Sequence, residues 1–187
     1  MFSVFSLIRR QFAGSLRSLR STQAITTAGL LLAIQMVLSS VGVIEVTDSL
    51  KISLAHLAVV PTAMLYGPVV ACLQSGLSDI LGFILRPSGP YFPGFTLTAA
   101  LLGLIYGMFL YQTERKAWQL IAARLVVCVF VNIILNSVFL AMLYGPSRWA
   151  TLPLRIFKNL VQLPVDCLLL SAMCRFVQRM PMRRAGR

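Results

Sequence analysis

Nine residues, Arg86-Pro-Ser-Gly-Pro-Tyr-Phe-Pro-Gly94, lie between two strongly apolar runs and forbid a single helix from passing through both. Proline lacks the amide donor and clashes with the preceding turn, and glycine loses the most backbone entropy on ordering. One helix must therefore stop, a stiff turn must follow, and a second helix must start. A plain connector between two apolar helices needs neither aromatic rings nor an arginine on so rigid a frame. The turn reads as a lid, with Arg86, Tyr91 and Phe92 as working groups and Pro90, Pro93 and Gly94 as its frame.

Six apolar segments can be marked: Ala24–Val43, Ser53–Leu65, Pro68–Leu85, Phe95–Tyr111, Leu120–Leu143 and Leu152–Phe176. A helix needs about 20 residues to cross a bilayer core. With 58% hydrophobic and 12% charged residues, the chain reads as an integral membrane protein rather than a soluble domain. The second segment is short and holds Pro61, so it is expected to kink or to stop short of a full crossing. The fold expected is an all-α membrane protein, a six-transmembrane-helix bundle over 24–176. A basic arm, 1–23, and a basic tail, 177–187, flank it. Tyr66-Gly-Pro68 marks a tight turn, and Leu-Tyr-Gly-Pro recurs at 143–146 as a second helix stop.

The net charge of +12 raises nucleic acid as a partner, but the basic residues collect at segment ends and not on one soluble face. The arm (Arg9, Arg10, Arg17, Arg20), the link with Arg115 and Lys116, and the tail fall on one side of six crossings. That side should be cytoplasmic, with both termini inside. The Ser40–Ile52 loop, the Arg86–Gly94 turn and the Gly145–Thr151 loop then face out, carrying Lys51, Arg86 and Arg148. Phe2–Ile8 is too short for a secretory apolar core. The arm reads as an amphipathic element on anionic lipid, with a transit peptide as the rival.

Arg155, Lys158, Asn159 and Gln162 share one helical face at the start of the last segment. A charge at the bilayer centre costs roughly 2.5–3.5 kcal/mol on insertion scales, so such a face needs compensation. Snorkelling to headgroups would serve an isolated cation; four aligned polar groups fit a water-lined ligand cavity better. Asn132 and Asn136 offer either an interhelical hydrogen bond or a ligand contact. Asp79 is either a partner for Arg86 and a polar cap, or an acceptor of two parallel hydrogen bonds from a ligand. Tyr91, Phe92 and Phe95 give flat faces for an aromatic ligand, with core packing and an interfacial belt as rivals. Cys72, Cys128, Cys167 and Cys174 read as apolar packing residues, and His56 as a helix residue with a small claim on the ligand. No metal cluster, phosphate-binding GxxxxGK[ST] loop or Ser-His-Asp set is present in the sequence, so neither catalysis nor a cofactor is expected.

Three blocks carry a family resemblance. The first is Asp79-Ile-Leu-Gly82-Phe83 with Gly89-Pro-Tyr-Phe-Pro-Gly-Phe-Thr-Leu-Thr98 and Gly103-Leu-Ile-Tyr-Gly107. The second is Leu152-Pro-Leu-Arg155-Ile-Phe-Lys158-Asn159-Leu-Val-Gln-Leu-Pro164, and the weaker third is Leu50-Lys-Ile-Ser-Leu54 with Tyr66-Gly-Pro68. Together, over roughly Ala24 to Ser171, the chain resembles the substrate-binding S component of energy-coupling-factor (ECF) vitamin transporters, most similarly the folate-specific branch. The resemblance implies a subunit of a bacterial plasma membrane that captures folate or a reduced folate from outside. Arg86, Arg155, Lys158 and more loosely Lys51 would draw the two carboxylates of folate. Asn136, Asn159 and Gln162 would hydrogen-bond the vitamin, Asp79 would accept from the pterin amino group and N3–H, and the outer loops would close over it. Energy would come from one transmembrane coupling subunit and two ATPases, with the loaded subunit toppling in the bilayer. Ala24, Ala28, Gly29 and Ala33 form small-xxx-small patterns, which pack helices closely. The resemblance implies contact with the coupling subunit there, in a register left open, against internal packing. A sister vitamin (riboflavin, thiamine or a pteridine-like precursor), a proton-coupled carrier using Asp79 and Asp166, and a non-transporting assembly factor stay open as alternatives.

Overall fold

Tyr66-Gly67-Pro68 turns the chain by putting Gly67 at φ 89°, where a Cβ would be strained, and Pro68 at the first position of the next helix. Gly145, in the second Leu-Tyr-Gly-Pro, has the same φ. The computed structural model describes residues 2–41, 43–47, 50–53, 55–87, 90–111, 117–145 and 152–179. In chain order these form α1 (Phe2–Ser18), α2 (Thr22–Val41), β1 (Val43–Thr47) and β2 (Leu50–Ser53). A 3₁₀ turn (Ala55–Ala58) runs into α3 (Val59–Tyr66), followed by α4 (Pro68–Leu85) and α5 (Pro93–Leu110). Then α6 (Ala117–Val126), a π-helical stretch (Val127–Leu135) and α7 (Asn136–Tyr144) run on without a break, and α8 (Leu152–Arg179) follows.

Among the described residues, five helices are long and apolar enough to cross a membrane: Thr22–Ser40, Pro68–Leu85, Pro93–Leu110, Trp118–Tyr144 and Leu152–Arg175. The shorter Ala55–Tyr66 is the sixth apolar element. At 1.5 Å per residue it reaches about 18 Å, less than a bilayer core. It does not need to span alone, because every residue of α3 is buried among its neighbours. The chain is thus a multi-pass helical membrane bundle. One departure from an all-helical reading is local: α2 ends at Val41, and Val43 belongs to β1. The expected Ser40–Ile52 loop holds an antiparallel hairpin pairing Ile44 with Ile52 and Glu45 with Lys51. The β-branched residues of Val43–Thr47 favour an extended backbone over another helical turn.

The tightest seam joins α4 and α5. A Cβ built on Gly107 would sit 2.2 Å from the Cα of Pro68, and one on Gly103 would sit 2.3 Å from the carbonyl oxygen of Ala71. These glycines, one turn apart, let the two backbones touch, the small-xxx-small solution to packing without water exclusion. At the Pro68 end, α1 lies across the helix termini with a polar stripe, Gln11, Ser15 and Ser18, turned inward and buried. Ser15 Oγ accepts from the amides of Val69 (3.0 Å) and Val70 (3.4 Å), supplying the cap that Gly67 lacks. Gln11 Nε2 donates to the Tyr111 carbonyl (2.8 Å) just past the end of α5. The arm's arginines, Arg9, Arg10, Arg17 and Arg20, are exposed.

Candidate functional site

At the end opposite α1, the C-termini of α2, α4 and α7 meet the N-termini of α5 and α8 around one cavity of about 750 Å³. That volume suits a small-molecule ligand. Arg86, Asp79, Pro90, Tyr91, Phe92, Phe95, Asn136, Lys158, Asn159 and Gln162 all line it, so one chamber gathers nearly all the residues singled out from four separate segments and the turn between two of them. Arg155 stands in the first turn of α8 and Lys51 in β2; both side chains lie outside the described residues. Asn132, one turn below Asn136, also faces the cavity. The π-helical stretch helps here. Its wider i→i+5 ring turns less per residue, so positions four apart stack nearly one above the other.

The turn over the mouth is held from below. Thr96 Oγ1 donates to Asp79 Oδ2 (2.7 Å) and bonds to the Tyr91 hydroxyl (2.9 Å). Phe83 packs against the Tyr91 ring, with centroids 5.1 Å apart. Phe92 meets Phe95 at 5.8 Å and Phe139 at 5.5 Å, both edge-on. Gly94 makes that cluster possible, since a Cβ there would sit 2.3 Å from the Phe92 ring. Asp79 therefore pairs with Thr96 and not with Arg86, whose Nη1 donates to the Ser40 carbonyl (3.3 Å) and ties α4 to α2.

Several lining residues had not been singled out as site residues: Gln35, Ser39, Ser75, Ser78, Arg124 and Tyr144. Gln35 belongs to a polar chain in which Gln74 Nε2 donates to Gln35 Oε1 (3.1 Å) and the Thr62 hydroxyl to Gln74 Oε1. Arg124, which lines the cavity, pairs with Asp166 on α8, and His56 Nε2 lies 3.4 Å from the other Asp166 oxygen. Asp166 is fully buried and Arg124 is 3% exposed. A lone base in one span and a lone acid in another were the available signal, because unpaired ions are costly in a membrane interior.

The small residues of α2 divide. Ala24 is 1% exposed and packs in the core cluster, so it does not stand on an open face of α2 where a partner could reach it. Ala28 is half-buried against the same core. Gly29 and Ala33 point outward, and a Cβ on Gly29 would meet nothing within 4 Å.

Residues 23–173 match the family model described as "ECF transporter, substrate-specific component". The chain is 31% identical over 151 residues to the folate transporter FolT of Leuconostoc mesenteroides, covering 78% of this chain and 80% of that protein. It is 29% identical over 134 residues to FolT of Clostridium novyi, covering 72% and 78%. A solved structure titled "Crystal structure of FolT bound with folic acid" superposes with a TM-score of 0.73 at 34% identity, covering 86% of this chain and 94% of that one.

Proposed function

The chain belongs to the family of ECF transporter substrate-specific components, and on that premise we propose that it captures folate, or a reduced folate, for ATP-driven uptake across a bacterial plasma membrane. The observation that carries the reading is the chemistry that one cavity gathers: the cations Arg86 and Lys158, the aromatic lid, and the amides Asn136, Asn159 and Gln162. Folate has two carboxylates at one end and flat rings at the other. The cations raise the local concentration of the anion. Tyr91, Phe92 and Phe95 offer flat faces for the aminobenzoyl ring next to the tail, and the Thr96 tether gives the lid a closed position that excludes water. The relatives named as folate transporters, and the folic acid bound in the similar solved structure, support the same ligand.

Transport needs partners. The chain works with a transmembrane coupling subunit and two ATPases, and the outward Gly29–Ala33 face of α2 is where the coupling helix approaches. The cavity end faces outside and the α1 end faces the cytoplasm, as the distribution of basic residues requires. A cationic mouth disfavours thiamine, itself a cation. The test is a binding titration of the purified protein with folate, riboflavin and thiamine. Folate should bind tightest, and Lys158→Ala should weaken it at least tenfold, about 1.4 kcal/mol. Tighter riboflavin binding, or wild-type folate affinity in the folded variant, would overturn the assignment.

A further inference from the structure

Beneath the amides, the cavity ends on an ion pair that the capture of an anion does not by itself require. Arg124, on α6, lines the floor, while Asp166, fully buried on α8, stands behind it. Buried Tyr106 lies beside the guanidinium. His56 lines the same floor and faces the second Asp166 oxygen at 3.4 Å. The Nε–H of Arg124 is buried without an acceptor among the described residues. A guanidinium has five donors in a planar fork, and Asp166 takes one side of it. Buried donors without acceptors are rare, and each asks for a reason.

Charge along the cavity separates its two ends. At the mouth, Arg86, beside the lid turn, presents positive charge. At the floor, Asp166 cancels Arg124, leaving donors with no net charge. Arg124 and Asn136 are twelve positions apart on one continuous run of α6, the π-helical stretch and α7, several turns of helix. The cavity is therefore long, charged at the top and neutral but polar at the bottom.

We propose that Arg124 is the specificity-determining residue for the flat heterocyclic end of the ligand, and that Asp166 is a positioning residue that holds Arg124 and decides which end of the ligand enters first. This deepens the folate reading and rests on it. A pterin ring is uncharged and carries a carbonyl oxygen and ring nitrogens as acceptors along one edge. A fork of donors matches that edge. An uncompensated arginine at the same depth would instead draw a carboxylate down to the floor, because attraction between opposite charges grows as the dielectric falls. Asp166 prevents that inversion by neutralising the floor before the ligand arrives. Charge at the mouth then fixes the tail, and donors at the floor fix the ring.

The experiment compares folate with p-aminobenzoyl-glutamate, which keeps the charged tail and lacks the pterin. Two folded variants are titrated with both. Arg124→Met/Asp166→Leu removes the pair without stranding a charge, a swap that buried ion pairs often tolerate. It should weaken folate at least tenfold and leave p-aminobenzoyl-glutamate within twofold of the wild type. Asp166→Asn leaves the arginine uncompensated; it should weaken folate and tighten p-aminobenzoyl-glutamate. A merely structural clasp between α6 and α8 would lower both ligands together, and that parallel loss overturns the inference, as does an unchanged preference in both variants. A wild type that does not bind folate would overturn the functional reading itself, and the floor assignment with it.

Discussion

Replacing Gly103 by alanine tests the seam on which the cavity wall is built. The new Cβ would lie 2.3 Å from the Ala71 carbonyl oxygen and 2.6 Å from Ser75 Oγ, whereas ordinary contact begins near 3.4 Å. The helices must then part by about 1 Å at that level. Overpacking of this kind costs typically 1–3 kcal/mol, and the gain in helix propensity returns about 1 kcal/mol at most. A net loss of up to roughly 2 kcal/mol follows from these two terms. Gly29→Ala is the internal control. It makes the same chemical change on a helix face with nothing within 4 Å, so only propensity acts and stability should rise or stay level. Thermal unfolding of both variants in one detergent, with and without folate, reads the difference. Gly103→Ala should melt lower than wild type and bind folate more weakly, since Ser75, Ser78 and Asp79 lie on one side of the seam and Phe95, Ala99 and Leu102 on the other. Gly29→Ala should do neither. Equal melting of the two variants would refute the claim that these backbones touch.

Thr96→Val removes the hydroxyl that joins Asp79 to Tyr91 and should speed folate release at least threefold by stopped-flow fluorescence; an unchanged rate would mean the tether does not hold the lid. Gly29→Leu should leave folate binding of the purified subunit intact and cut ATP-driven uptake by the assembled transporter at least tenfold, while Ala24→Leu, in the core, should lower stability first. Uptake at the wild-type rate in Gly29→Leu would remove that face from the interface. Ser15→Ala strips the borrowed cap from α4 and should cost about 1 kcal/mol in an unfolding titration, with no change in folate affinity; an effect on affinity without one on stability would contradict a capping role.

The apolar runs, their lengths and the proline-glycine turn were decisive in the sequence alone, because bilayer thickness and backbone sterics act on short stretches of chain. The six segments, the short second one, the Gly67 turn, and the face bearing Lys158, Asn159 and Gln162 were all legible for that reason. Local periodicity places a residue on a face of its own helix and says nothing about which way that face points in the bundle. So Ala24 read like Gly29, although one packs in the core and the other stands in the open. The same limit hid the partnership of Arg124 and Asp166, 42 residues apart, and the reach of Ser15 to an amide 54 residues on. Neither pairing leaves a mark on the intervening sequence. Both arise because, in a membrane interior, buried charges and unfilled helix ends must find partners wherever the packing of whole helices brings them.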